Sequence, residues 1–500
     1  MNRLWLFAVG CWLLATLPAA AADINGRRGC RAGRNNPHAV LHRAKSLQAD
    51  ENVYVGERRQ LVVLASFQDQ DFAAGDATTL ELWDRIFNEE GFNEDMFVGS
   101  VHDYFMAQSY GQFNLSFDLK MVELPGNLKK YRSTADVDEN SQYMVDDIVD
   151  VLQTQGIDWA QYDWDGDKFV DQLLIIYAGR GQNIDGNSNT IWPHQWWLSL
   201  HLDLETDDEE DFRSYRTVNS GSEEYYIDKY CCVQEVVNSG DLKSSFGTIC
   251  HEYSHCFGFP DFYYGAGKIV EKWDLMDYGN FNGGGYRPCG YSAHERMLMG
   301  WLNPIELTST ASIQDMQTLE YEPEAYLIRN DGAENEYYII ENRQQKGWDE
   351  NLPGSGILVF HIEYDKQIWE GTEELVNSYN KKRYSIIPAN NNSRAAFSYG
   401  WAYPYMDNDS LTNTSMPAAT LNIVNIDGTK LMSKPVTKMS VDADGQASFA
   451  FMLDETVGIG NLHQPKSAVM NAIYNISGIQ LSTKPQAGLY IQRGKKFVAK

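Results

Sequence analysis

His251, Glu252 and His255 lie in the stretch TICHEYSHCFGFPD, residues 248–261, as two imidazoles four positions apart with a carboxylate beside the first. On a helix that spacing stacks both imidazoles on one face, one turn apart. Two ring nitrogens so placed take two corners of a tetrahedral zinc and leave room for water. Glu252 then reaches that water as a general base without itself ligating the metal. The set predicts attack of activated water on a peptide carbonyl. On five residues alone, two surface histidines on a helix are the competing reading.

The continuation narrows the choice. Gly258 lets the chain leave the helix through positive φ, and Pro260 prevents the helix from resuming. Asp261 then stands where the third ligand of the HExxHxxGxxH proteases would be, with Asp in place of His. A carboxylate oxygen bonds zinc at about 2.0–2.2 Å, so the exchange is chemically sound. A helix-capping role for Asp261 is the alternative. Further on, KWDLMDYGNF places Met276 where a methionine turn beneath the metal would belong. Tyr278 follows two residues later, where some metzincins carry a tyrosine that can donate to the tetrahedral oxyanion. Core packing is the other reading of Met276.

These residues need a scaffold, and the chain offers one. RQLVVLASF (59–67) and QLLIIYAG (172–179) are β-branched, apolar runs fit for buried strands. Residues 79–88 and 100–111 have helical spacing, with Gly111 ending the second before the alternating strand QFNLSFDLK. Helices and strands mix up to about Pro304, which predicts an α/β (α+β) catalytic domain over 59–305. From 306 to 455, EAYLIRN, EYYIIENR, GILVFHIEY, RYSIIPA and QASFAFML are short alternating segments with turn residues between them. That texture predicts an all-β, sandwich-like domain. Residues 456–500 read as a short β module with a basic end.

The beginning of the chain has a different character. Arg3, the apolar run LWLFAVGCWLLATL and the small residues ending at Ala22 predict a signal peptide over 1–22, and hence a secreted or cell-surface protein. No later stretch approaches the ~20 apolar residues of a membrane span. Residues 23–58 are basic and lack apolar periodicity, as a leader or pro-segment would. The full chain carries a net charge of −28, which opposes any nucleic-acid partner. With 43% hydrophobic and 13% aromatic residues it buries a large core.

Two further sets are open to two readings each. DWDGDKFVD spaces Asp163, Asp165, Asp167 and Asp171 as positions 1, 3, 5 and 9 of a calcium loop. Position 6 is not glycine and position 12 is Leu174, so a solvated acidic turn competes with Ca²⁺. Six cysteines remain after the signal, an even count that permits disulfides in an exported chain. The expected pairs are Cys231 or Cys232 with Cys250, and Cys256 with Cys289. Cys30 either pairs with the remaining cysteine or, as a thiolate flanked by arginines, ligates the zinc and keeps the precursor latent.

HEYSHCFGFPDFY, WDLMDYG, SVHDYFMAQSYGQF, YDWDGDKFVDQLLIIYAG, IWPHQW and YSAHERMLMGWL resemble successive blocks of the immune inhibitor A family of secreted metalloendopeptidases. YYIIENRQQKGWDENLPGSGILVFHIEYD resembles the β-rich extension that follows them. The resemblance implies a zinc-dependent endopeptidase acting on protein or peptide substrates, with a metzincin-like fold. It implies ligands His251, His255 and Asp261, and Glu252 as base. His294 departs from the pattern, standing where a large aromatic is expected. IYNISGIQL and AGLYIQRGKKFVAK resemble the C-terminal sorting domains of the type IX secretion machinery. The reading from another class is a cell-surface binding protein with β-sandwich domains and a structural zinc. Glu252 argues against it, since a structural site needs no general base.

Overall fold

The computed structural model describes residues 53–132, 140–185, 187, 189–201, 214–236, 245–264, 267–369 and 376–453, with four short strands between 473 and 499. The expected signal peptide, most of the expected leader and Cys30 lie outside the described residues. Among the described residues no helix is long and apolar enough to cross a membrane.

The first half is built on β1 (Gly56–Ser66), α1 (Asp76–Asn88), α2 (Val101–Gln108), β2 (Phe113–Glu123), α3 (Ser141–Leu152), β3 (Leu173–Arg180), β4 (His194–Trp197), the hairpin β5–β6 (Arg216–Ser220, Glu223–Ile227), β7 (Lys229–Val236), α4 (Phe246–Cys256) and α5 (Ala293–Leu298). Five strands form one sheet in the order β2-β1-β3-β7-β4. Parallel pairings join β2, β1, β3 and β7, and β4 closes the edge antiparallel to β7. The central strands are covered on both faces, which is why LVVLA and LLIIYA read as unbroken apolar runs and do not alternate. α1 turns Thr79, Trp83, Ile86 and Phe87 inward, at the spacing one helix face requires. α2 starts at Ser100, whose hydroxyl accepts from the Asp103 amide at 3.2 Å while the Asp103 carboxylate accepts from the Ser100 amide at 2.8 Å. Gly111 leaves that helix at φ 74°, as expected.

The core takes in residues ahead of the first strand that the sequence indicates. Val53 and Tyr54 are already buried, and the Trp301 indole donates to the Tyr54 carbonyl at 2.7 Å. The last residues of the expected leader therefore belong to the core. Their apolar side chains are too few to show a period, so only the tertiary contact places them.

The second half contains β8 (Ile305–Glu306), β9 (Ala311–Met316), β10 (Ala325–Asn330), β11 (Ala333–Arg343), β12 (Gly356–Glu363), β13 (Tyr384–Ile386), β14 (Val436–Val441) and β15 (Ala447–Phe451). One sheet runs β13-β12-β11-β10-β8 and a second runs β14-β15-β9. Tyr338, Ile340, Ile357 and Val359 point from the larger sheet toward the smaller one. Tyr337, Ile339, Leu358 and Phe360 point the other way, into the same core as the first half. The larger sheet is thus buried on both faces, and the two halves share one hydrophobic core. β16–β19 (Ile473–Asn475, Gln480–Leu481, Gly488–Gln492, Lys495–Ala499) form a separate four-stranded sheet.

The expected disulfides are absent among the described residues. Cys231, Cys232, Cys250, Cys256 and Cys289 are all free and buried. Cys231 shares a thiol hydrogen bond with Cys256, the last residue of α4, and burial drives the Cys231 pKa up. Cys289 sits elsewhere, with its amide on the Gly279 carbonyl. Sequence spacing cannot report which strand lies behind a helix, and that decides which thiols meet.

Candidate active site

α4 lies buried along nearly its whole length, with His251, Glu252 and His255 on it. Its first turn approaches the Gly279–Gly285 segment so closely that a Cβ on Gly247 would collide with the Asn280 carbonyl. The helix stops as expected: Gly258 takes φ 99°, and its amide closes on the His255 carbonyl at 2.9 Å. The chain then doubles back and brings Asp261 over the helix face.

His251 Nδ1 lies 2.8 Å from the Leu275 carbonyl and His255 Nδ1 lies 2.6 Å from the Phe259 carbonyl. A carbonyl only accepts, so both Nδ1 atoms carry hydrogen, and Nε2 is the nitrogen each ring would offer to a metal. The two Nε2 atoms converge on one oxygen, Asp261 Oδ1, at 3.2 and 3.3 Å. Tetrahedral angles with metal–donor bonds of about 2.0–2.1 Å place donor atoms roughly 3.3 Å apart, so two imidazoles and a carboxylate in this arrangement fit zinc. Glu252 joins the cluster, with its carboxylate within 4.8 Å of both histidines.

Charge and burial compete at each group. Burial pulls His251 down, but the Asp261 hydrogen bond and the Glu252 and Asp261 charges overcome it and raise the pKa to about 9. Burial also works against Asp261, yet His255 and His251 hold it well below the usual carboxylate range. Burial lifts Glu252, with His251 and His255 pulling the other way. Two carboxylates facing two imidazoles in a dry pocket favour a cation among them.

Beneath the helix runs the turn Asp274–Asp277, where the methionine turn was expected. Met276 is fully buried; its amide donates to Asp274 Oδ1 at 2.8 Å and its carbonyl accepts from the Phe262 amide at 2.9 Å. One turn therefore holds His251 through Leu275 and the neighbour of Asp261 through Met276. Tyr278 is half-buried, with the Lys268 ammonium 3.6 Å from its ring centroid and Phe281 beside it.

Two features escaped the sequence reading. Tyr263 hydrogen-bonds Asp261, and burial with the Asp261 and Glu252 charges raises its pKa. In PDFYYG nothing distinguishes Tyr263 from its neighbour except where each points. On the Glu252 side, His194 of β4 donates from Nδ1 to the Trp192 carbonyl at 2.7 Å and lies 3.0 Å from the Tyr230 hydroxyl at Nε2. His201 Nε2 meets the same hydroxyl at 2.9 Å, making a buried polar chain. The motif IWPHQW signalled a block of the family and no role for its histidine.

The acidic loop is compact. Asp163, Asp165 and Asp167 offer oxygens within 4.8 Å of one another. Asp163 Oδ1 accepts from the Gly166 and Asp167 amides at 2.9 and 3.1 Å, and its Oδ2 from the Lys168 amide at 3.0 Å. Lys168, at position 6, takes φ 75° without being glycine. Asp171 stands apart from the trio, accepts from the Trp164 amide at 2.5 Å, and is pushed up to about 7 by burial. His294, the departure from the family pattern, is fully buried among Trp369, Tyr384 and Tyr337.

A mixed α/β sheet with a buried helix presenting two histidines and a carboxylate, and a second carboxylate facing them, is the arrangement a metallopeptidase needs. Residues 65–300 match the family described as "Immune inhibitor A peptidase M6, catalytic domain". Over that segment the chain is similar to the catalytic domain of the immune inhibitor A peptidases. No curated protein matches the chain.

Proposed function

We propose that the protein is a secreted zinc endopeptidase in which His251, His255 and Asp261 hold the metal and Glu252 is the general base. The convergence of both Nε2 atoms on Asp261 Oδ1, with Glu252 beside them, carries the reading. A zinc ion bound there supplies Lewis acidity, polarising the scissile carbonyl and making water acidic enough to deprotonate near neutrality. Glu252 takes the proton from the attacking water and delivers it to the departing amine. Its burial supports this, because a carboxylate lifted above its ordinary value is a stronger base and a reversible carrier. The carbonyls of Leu275 and Phe259 fix both imidazoles in the Nε2-ligating tautomer. Tyr278, from its place after the methionine turn, and Tyr263, from its bond to Asp261, are the two candidates for a donor to the oxyanion.

The regions outside the matched segment enter as parts of the same proposal. Residues 1–22 direct export, 23–52 restrain the precursor through Cys30, and 456–500 address it to a type IX secretion route. Ca²⁺ in the 163–171 loop is proposed as a structural ion; its test is a calcium-dependent rise in Tm that disappears in Asp163→Asn. The main reading is tested by casein hydrolysis. Activity should vanish on chelation and return with zinc, and Glu252→Gln should keep its zinc but lose ~10²–10⁴ in rate. Full activity in Glu252→Gln overturns the base assignment.

A further inference from the structure

The turn that carries Leu275 and Met276 is gripped from the second half of the molecule. Tyr384, on β13, donates its hydroxyl to Asp274 Oδ2 at 2.6 Å, the oxygen opposite the one that accepts from the Met276 amide. The Tyr384 hydroxyl also lies 2.8 Å from Ser292 Oγ, at the start of α5. Its ring stacks on Phe262, with centroids 3.9 Å apart and planes at 27°. Phe262 is the residue next to Asp261.

Asn377 completes the grip. Its Nδ2 donates to the Phe262 carbonyl at 2.8 Å and to the Tyr384 carbonyl at 2.9 Å. Its Oδ1 accepts from the Arg383 and Tyr384 amides at 2.9 and 3.0 Å, so the amide is fully used and cannot rotate without losing bonds. Both residues are fully buried. Phe262 is therefore held at its amide by Met276, at its ring by Tyr384 and at its carbonyl by Asn377.

We infer that Tyr384 and Asn377 are positioning residues of the metal site, and that the β-rich half is thereby a working part of it. Tyr384 sets the Asp274 turn whose Leu275 carbonyl orients His251. Tyr384 and Asn377 together set the backbone that aims Asp261. Neither touches the ion; each acts through groups that orient a ligand. The inference rests on the proposed ligand set His251, His255 and Asp261. Partners of this kind typically change metal affinity or activity 10–100-fold when removed.

The test uses the full chain loaded with zinc, and separately with cobalt(II) as a spectroscopic probe. Tyr384→Phe keeps the ring on Phe262 and removes only the hydroxyl; Asn377→Ala removes the second grip. Tyr338→Phe is the control, since Tyr338 is equally buried in the same half and loses a comparable 2.6 Å bond, to the Thr420 carbonyl, in the other core. Tyr384→Phe and Asn377→Ala should release zinc to a chelator about 10–100-fold faster and shift the visible cobalt bands. Their kcat should fall while KM stays within about twofold, and Tyr338→Phe should release zinc like the wild type. Wild-type release rates and cobalt bands in both variants overturn the inference, as does equally fast release from Tyr338→Phe. A wild-type protein that takes up no zinc overturns the ligand reading first, and this inference with it.

Discussion

The Tyr263 hydroxyl is hydrogen-bonded to Asp261, the carboxylate on which both histidines converge. Removing it leaves Asp261 in place but less firmly oriented. Tyr263→Phe should weaken zinc retention about 10-fold, whereas Tyr278→Phe, if it loses only a donor to the oxyanion, should lower kcat with zinc retention unchanged. Zinc content after dialysis, read beside kcat for both variants, separates the two roles. Reversed results would exchange the assignments.

Asp261→Ala is the more drastic change. Two imidazoles alone hold zinc weakly, so metal content by elemental analysis should fall at micromolar free zinc while the helical circular dichroism persists. Full zinc occupancy in that variant would place the third ligand elsewhere.

His294 makes the fold sensitive to acid. Burial lowers its pKa to about 3, well below the ~6.5 of an unfolded histidine, so the unfolded chain binds one more proton between those values. Its contribution to stability is whole above pH 6.5 and is lost as pH falls, at about 1.4 kcal/mol per unit. The groups packed around it, Trp369, Tyr384, Tyr337 and Tyr364, are aromatic and neutral in this range. Denaturant midpoints from pH 7 to pH 4 should fall less steeply in His294→Phe. Parallel slopes would show that His294 is not the group responsible.

Arg343 ties the halves together. It is fully buried, pairs with both Asp349 oxygens at 2.6 and 2.7 Å, and donates to the Gly290 carbonyl at 3.0 Å. Removing one partner of a buried pair strands the other, at a cost of about 3–5 kcal/mol. Arg343→Ala should lower Tm by many degrees in a single transition, because the halves share a core. A second, separate calorimetric transition would show that they unfold apart.

The cysteines give a direct chemical check. All five described thiols are buried and free, so iodoacetamide should label none in the native protein. In denaturant without reductant it should label all five. A disulfide-linked peptide containing any of them would contradict the structure.

The local part of the site was legible in the sequence. The four-residue step from His251 to His255 is a property of the helix, and Gly258 with Pro260 dictates where that helix ends. The apolar runs of β1 and β3 announced buried strands for the same reason: backbone geometry imposes a period on the neighbours in the chain. What the sequence alone determined is what acts between residues a few positions apart. The rest depends on packing between distant segments. Cys231 meets Cys256 and not its expected partners because β7 passes behind α4. Tyr263 and Tyr264 are equivalent as letters, and only the fold points one hydroxyl at Asp261. Tyr384 lies 110 positions from Asp274, and no local period links them. A hydrogen bond requires its two atoms within about 3 Å, and at that separation only the tertiary structure brings them there.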